Sequence, residues 1–158
     1  MTSWEIERKY LVADLSCLDQ LAGVAFRQGY IPIQDGGVVR VRIEGERAVL
    51  TLKGATSGIA RREYEYEIPR QDAESILATL CQRPHIEKTR YTLPWAGKVW
   101  TIDVFSGENE CLVLAEVELN SLEEVVKKPP WIGVEVSDDP RYYNANLVRN
   151  PYCKWRDG

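Results

Sequence analysis

One histidine, His85, and four cysteines without a C-x-x-C pair leave this chain few ways to hold a transition metal. Cys17, Cys81, Cys111 and Cys153 are scattered, so a thiolate zinc site is not expected and reduced thiols are the default reading. No apolar run approaches the roughly 20 residues that cross a bilayer. The start, Met1-Thr2-Ser3-Trp4, has neither the basic nor the apolar region of a signal peptide, so a cytoplasmic protein is expected. A basic excess is missing too. With a net charge of −4 there is no global field for nucleic acid, and neither nucleic acid nor membrane is expected as a partner. A metal here must be held mostly by carboxylates, which selects Mg²⁺ or Mn²⁺ over Zn²⁺.

What is present is ordinary in amount and unusual in order. The 158 residues, 44% hydrophobic and 28% charged, suit one soluble domain spanning 1–158. Repeats, low-complexity stretches and linkers are absent. Near the start, Glu5, Glu7 and Lys9 share one face of an expected strand over residues 4–12, because strand side chains alternate. The pattern recurs along the chain. Val38–Ile43 sets Arg40 and Arg42 on one face and Val39, Val41 and Ile43 on the other. Across the Glu44-Gly45-Glu46 turn, Val49, Thr51 and Lys53 share a face, giving a hairpin. In Arg61–Ile68, Glu63, Glu65 and Glu67 oppose Tyr64, Tyr66 and Ile68. Ile86–Leu93 aligns Lys88 with Arg90, Lys98–Phe105 aligns Asp103 with Phe105, and Cys111–Leu119 ends with Glu116 and Glu118 on one side.

Between the strands, short helices are expected. Asp14 caps one carrying Leu15 and Leu18, and Pro69 opens another to about Cys81 with Ile76, Leu77 and Leu80 buried. Ser121–Glu124 reads as a capping box for a helix stopped by Pro129-Pro130, and a last helix carries Tyr142, Tyr143, Ala145 and Leu147. Asp35-Gly36-Gly37 reads as a turn, and the tail from Asn150 gives no signal.

A charged strand face ordinarily points to water. Here the charges are sorted by sign, and the opposite faces are apolar enough to need cover. About eight antiparallel strands can close a barrel with room for one small ligand. The expected fold is therefore mainly β: an eight-stranded antiparallel closed barrel with short helices packed outside and the charged faces inside. An interior lined by Lys9, Arg40, Arg42, Lys53, Lys88 and Arg90 is tolerable only if compensated, partly by the lining acids and partly by a bound polyanion. The arginines suit forked contacts to phosphate and the lysines act as point charges. Glu5, Glu7, Glu116 and Glu118 converge if the barrel closes between the chain's two ends, forming a hard-oxygen cluster for Mg²⁺ or Mn²⁺ with raised pKa values. Tyr30 is either packing or a ligand contact, and His85 is a loop residue.

Taken in order, these residues resemble the CYTH superfamily, the triphosphate tunnel metalloenzymes. The resemblance rests on Glu5-x-Glu7-x-Lys9, Gln28-Gly29-Tyr30, Arg40-x-Arg42, Lys53, Arg62–Ile68, Lys88-x-Arg90-Tyr91, Asp103-x-Phe105, Glu116-x-Glu118, Gly133–Val136 and Arg141-Tyr142. It implies an eight-stranded tunnel that binds a triphosphate on its basic residues, with Mg²⁺ or Mn²⁺ on the acids. The start and the Gln-Gly-Tyr segment look most like small bacterial inorganic triphosphatases. The expected reaction is hydrolysis of tripolyphosphate to pyrophosphate and phosphate, with one or two metal ions on the glutamates. The resemblance gives Lys9, Tyr30, Glu63 and Glu65 as catalytic or orienting residues and Asp103 as support. The alternatives are a nucleoside or thiamine triphosphatase, a class IV adenylate cyclase, or a polyphosphate-binding module without activity. A homodimer is the default assembly.

Overall fold

Alternation does close a barrel. The computed structural model describes residues 3–34 and 36–157, so Asp35 of the expected turn lies outside the described residues. The strands are β1 (Ser3–Val12), β2 (Val24–Ile31), β3 (Val38–Glu44), β4 (Arg47–Lys53), β5 (Ala60–Ile68), β6 (Ile86–Trp95), β7 (Lys98–Phe105), β8 (Val113–Glu118) and β9 (Ile132–Glu135). Helices α1 (Arg70–Thr79) and α2 (Asn144–Arg149) complete the regular elements, with short 3-10 turns between. Hydrogen bonding runs β5-β4-β3-β2-β6-β7-β8-β1-β9, and a further β5–β1 pairing closes β1 to β8 into an antiparallel barrel. The ninth strand lies outside the closed eight, paired only to β1.

β1 divides one edge between two partners. Ser3–Ile6 pairs with β5, and Tyr10 and Val12 pair with β9, while the opposite edge holds β8 from Glu7 to Leu11. Lys9 lies where the edge is handed over, with its N–H donating to Ser137 Oγ and its carbonyl accepting from Val136 N.

Three apolar clusters surround the charged interior. Under α1, Val41, Ile43 and Ala48 meet Ala73 and Leu77. Gly29 turns its outer side to this helix, where an added Cβ would stand 2.8 Å from Leu77 and Cys81, which accounts for a glycine between Gln28 and Tyr30. On the β1–β7–β8 wall, Tyr10, Trp100, Ile102, Ala115 and Val117 pack with Trp131. At one end of the barrel, Tyr30, Ile86, Phe105 and Leu114 pack beneath Tyr142, Leu147 and Val148.

Several local expectations are corrected. Ser121–Glu124 makes only a turn, because the Glu124 carboxylate accepts from Asn120 N at 2.7 Å and the chain then runs irregularly to Trp131. That irregular segment, not a helix, covers the β7–β8 wall. Leu80 and Tyr66 are exposed, since α1 covers β3 and β4 but stops short of β5's outer face. The unread tail packs Trp155 edge-on against Tyr142 and Tyr152, with ring centres 5.1 and 4.9 Å apart. Among the described residues no helix is long and apolar enough to cross a membrane.

Candidate functional site

Inside the barrel lies a cavity of about 600 Å³. Five of the six expected cations line it: Lys9 from β1, Arg40 from β3, Lys53 from β4, and Lys88 and Arg90 from β6. Glu7, Glu116 and Tyr30 line it as well. Arg42 does not. It sits beside Phe26, bonded to Glu44 at 2.8 Å. Lining residues passed over by the alternation argument are Arg61, Thr56, Tyr143, Asn144, Asn146 and Arg149. Arg61 was legible, since it shares a strand face with Glu63 and Glu65. The others come from loops and α2, where no alternation points inward.

The basic side chains are fixed by acids behind them. Asp103 bonds Arg90 through both oxygens at 2.7 and 2.8 Å and Lys88 at 2.8 Å, and Lys88 also donates to Asn144 Oδ1 at 2.9 Å. Lys53 is held by Glu5 at 2.9 Å and Glu63 at 3.5 Å. Arg40 donates to Thr51 Oγ1 at 3.1 Å and reaches Glu65 at 3.4 Å, leaving its buried Nε without a partner. Gln28 Nε2 donates to the Tyr30 hydroxyl at 2.7 Å, so Tyr30 both packs and faces the cavity. Lys9 Nζ stands 3.6 Å from Glu116 and 5.5 Å from the centre of the Tyr143 ring.

The four expected metal-binding acids do not form one ready cluster. Among the described residues no group of three or more His, Cys, Asp or Glu side chains is placed to hold a metal ion. Glu5 is tied to Lys53 and Glu63, Glu7 is hydrogen-bonded to Glu116, and Glu118 stands opposite Glu7 on the exposed end of β8. Burial and the charges of Glu116 and Glu5 raise the Glu7 carboxyl well above the ordinary range. Burial also raises Glu116, but Lys9, Arg90 and Lys88 outweigh it and hold this carboxyl low. Burial and the Glu5 hydrogen bond push Glu63 up to about 7, whereas for Glu5 burial is outweighed by the Glu63 bond and Lys53. In each acid pair one carboxyl is thus raised and its partner lowered. These donors suit a hard cation: all are carboxylate oxygens, Glu5, Glu7 and Glu116 are half-buried, and the raised Glu7 carboxyl is one whose proton a cation would displace.

Two cations are brought below their ordinary range. Burial, with Arg90 nearby, brings Lys88 down to about 7, because Asp103 is shared with the forked Arg90 and offsets only part of it. Burial and the charges of Arg40 and Arg90 lower Arg42 to about 10.

A pH dependence of stability follows. Between the ordinary carboxylate value of 4.5 and about 7, the folded chain binds more protons than the unfolded chain at Glu63, and Glu7 acts in the same direction. Stability therefore falls as pH rises through that window. From about 7 to the ordinary lysine value of 10.5, the unfolded chain binds more protons at Lys88, which opposes the loss at Glu7. The urea midpoint of the metal-free protein is therefore expected to be lower at pH 7 than at pH 5. A midpoint at pH 7 equal to or above that at pH 5 would contradict the Glu63 and Glu7 assignments.

The CYTH domain model matches residues 3–148. The chain belongs to the CYTH domain family. An Acetivibrio thermocellus protein called inorganic triphosphatase is 49% identical over 153 residues, 97% of this chain and 98% of that one. A Nitrosomonas europaea protein of the same name is 38% identical over 149 residues, covering 91% of this CYTH chain and 96% of its own. The crystal structure of an inorganic triphosphatase, 36% identical, matches with a TM-score of 0.63 over 90% of this chain and 96% of that one.

Proposed function

We propose that this CYTH protein hydrolyses inorganic triphosphate to pyrophosphate and phosphate. The observation that carries the reading is the convergence of Lys9, Arg40, Lys53, Lys88 and Arg90 on one cavity whose wall also carries Glu7 and Glu116. A non-catalytic anion site gains little from acids that face its ligand. Likeness over nearly the whole chain to proteins called inorganic triphosphatase supports the same reading.

Phosphoryl transfer asks for positioning and charge neutralisation more than for covalent chemistry. The five cations supply neutralisation from four strands, so they grip the phosphate chain from different sides. Asp103, Glu63 and Glu65 prevent the cations from swinging by holding them from behind. Glu5, Glu7, Glu116 and Glu118 are the residues that would hold Mg²⁺ or Mn²⁺. When bound, such an ion supplies further charge neutralisation and makes water more acidic. Glu63 and Glu65 do not line the cavity but hold Lys53 and Arg40, so in this reading they help orient the attacking water through those cations, while Tyr30, on the wall, steadies the leaving pyrophosphate. With water attacking the terminal phosphorus, the bridging P–O bond breaks and its electron pair leaves on pyrophosphate.

The test is phosphate release from tripolyphosphate, ATP and pyrophosphate, each with Mg²⁺, with Mn²⁺ and with EDTA. Rapid release from tripolyphosphate that EDTA abolishes is expected. Preference for ATP moves the reading to a nucleotide enzyme, and tight tripolyphosphate binding without release leaves a binding module.

A further inference from the structure

Phe26 lies among the arginines of the barrel interior. Phe26 points inward from β2, and β2 lies between β3 and β6. Its Cα neighbours across the two ladders are Glu44 and Lys88, which puts Arg42 and Arg90 each two residues along, at the diagonal positions that long side chains reach. Both guanidinium carbons approach the ring, Arg42 at 4.9 Å and Arg90 at 4.8 Å from its centre. One arginine comes from each flanking strand. The phenyl ring is 8% exposed, so water does not screen these contacts well.

Asp103 answers Arg90 and Glu44 answers Arg42 from the outer sides, and among the described residues only the ring faces both from between. Arg40, Arg42 and Arg90 are buried or nearly so, and the lowered pKa of Arg42 reflects their mutual repulsion as well as burial. An aromatic ring attracts a guanidinium through its negative face, and arginine stacks on it with its fork still free to donate. Phe26 therefore both attracts two like charges and keeps them apart. Leucine at this position offers comparable bulk with no quadrupole.

We propose that Phe26 is a positioning residue for anion recognition: it holds the Arg42 and Arg90 guanidiniums at a fixed separation, presenting Arg90 to the phosphate chain and Arg42 as the charge behind it. The inference rests on the triphosphate reading of the cavity. It acts through Arg90, which lines the cavity, and Arg42, which does not. Phe26 itself does not line it.

The experiment compares wild type, Phe26→Leu and Phe26→Tyr by tripolyphosphate kinetics, and by the tripolyphosphate-induced rise in melting temperature in EDTA. Loss of two partly desolvated cation–π contacts is expected to raise KM about tenfold or more in Phe26→Leu, with kcat changed less. The variant's ligand-induced shift should shrink in parallel. Phe26→Tyr keeps the ring and should recover most of both. A purely structural ring predicts otherwise: Phe26→Leu lowers the ligand-free melting temperature while KM stays within about twofold of wild type. That result overturns the proposal and leaves the hydrolase reading intact. A wild-type protein that neither cleaves nor is stabilised by tripolyphosphate overturns both.

Discussion

Replacing Lys9 with methionine is expected to lower kcat for tripolyphosphate by about 10²–10³-fold, the cost of removing one preorganised charge from a transition state. The expected change in melting temperature is only a few degrees. Removing one partner of a buried ion pair is ordinarily costly, because the other is left alone. Here the partner is not left alone. Glu116 keeps Arg90 and Lys88 nearby and already shares a hydrogen bond with Glu7, so a proton can settle on the acid pair. Methionine fills the space of the lysine stem, which avoids a cavity next to Tyr143. Activity measured beside thermal unfolding checks the expectation. Extensive unfolding with a nearly normal kcat in the folded fraction would make Lys9 structural.

Asp103→Asn should behave in the opposite way. Asp103 is 1% exposed and answers both Lys88 and Arg90. The amide leaves the Arg90 guanidinium against a neutral group, and Lys88, at about 7 even with the carboxylate in place, gives up its proton; the expected loss is about 3–5 kcal/mol, or roughly 6–20 °C in melting temperature for a chain of this size. Adding tripolyphosphate should recover part of that loss, since a ligand bound only by the folded state stabilises it and this one brings negative charge. Thermal scans of the variant with and without tripolyphosphate decide the matter. An unchanged melting temperature would mean that the forked bond to Arg90 contributes no net stability.

The barrel was legible because its signal is repeated. Arg40 with Arg42, Lys88 with Arg90 and Glu116 with Glu118 each put two like charges on one face, and every strand carries its own record of which face is inside. What escaped lies where a local pattern has no partner to confirm it. Ser121–Glu124 has the spacing of a helix start, yet Glu124 satisfies the N–H of Asn120 without any helix following. Asn144 and Arg149 enter the cavity on a six-residue helix, too short for its periodicity to say which side faces in. Trp155 shows no purpose until Tyr142 and Tyr152 are brought to its edges by the fold. Arg42 was read as lining the site and does not, because alternation gives the face and not the depth, and it lies beside Phe26 and Glu44 instead.

β1 pairs early residues with late ones. Arg8 meets Glu135 across 127 residues of sequence, and the Lys9 amide meets Ser137 across 128. Contacts so distant along the chain are slow to form, because much of the polypeptide must be ordered before they can close. During synthesis β1 emerges ahead of β5, β8 and β9 and waits for them. A chain still short of residue 113 has made Glu5, Glu7 and Lys9 but not Glu116, so its acids and its lysine have no completed interior to enter. Binding competence therefore arrives late in translation and all together, and a chain truncated before β8 is expected to be an unfinished sheet with open edges, not a weaker enzyme.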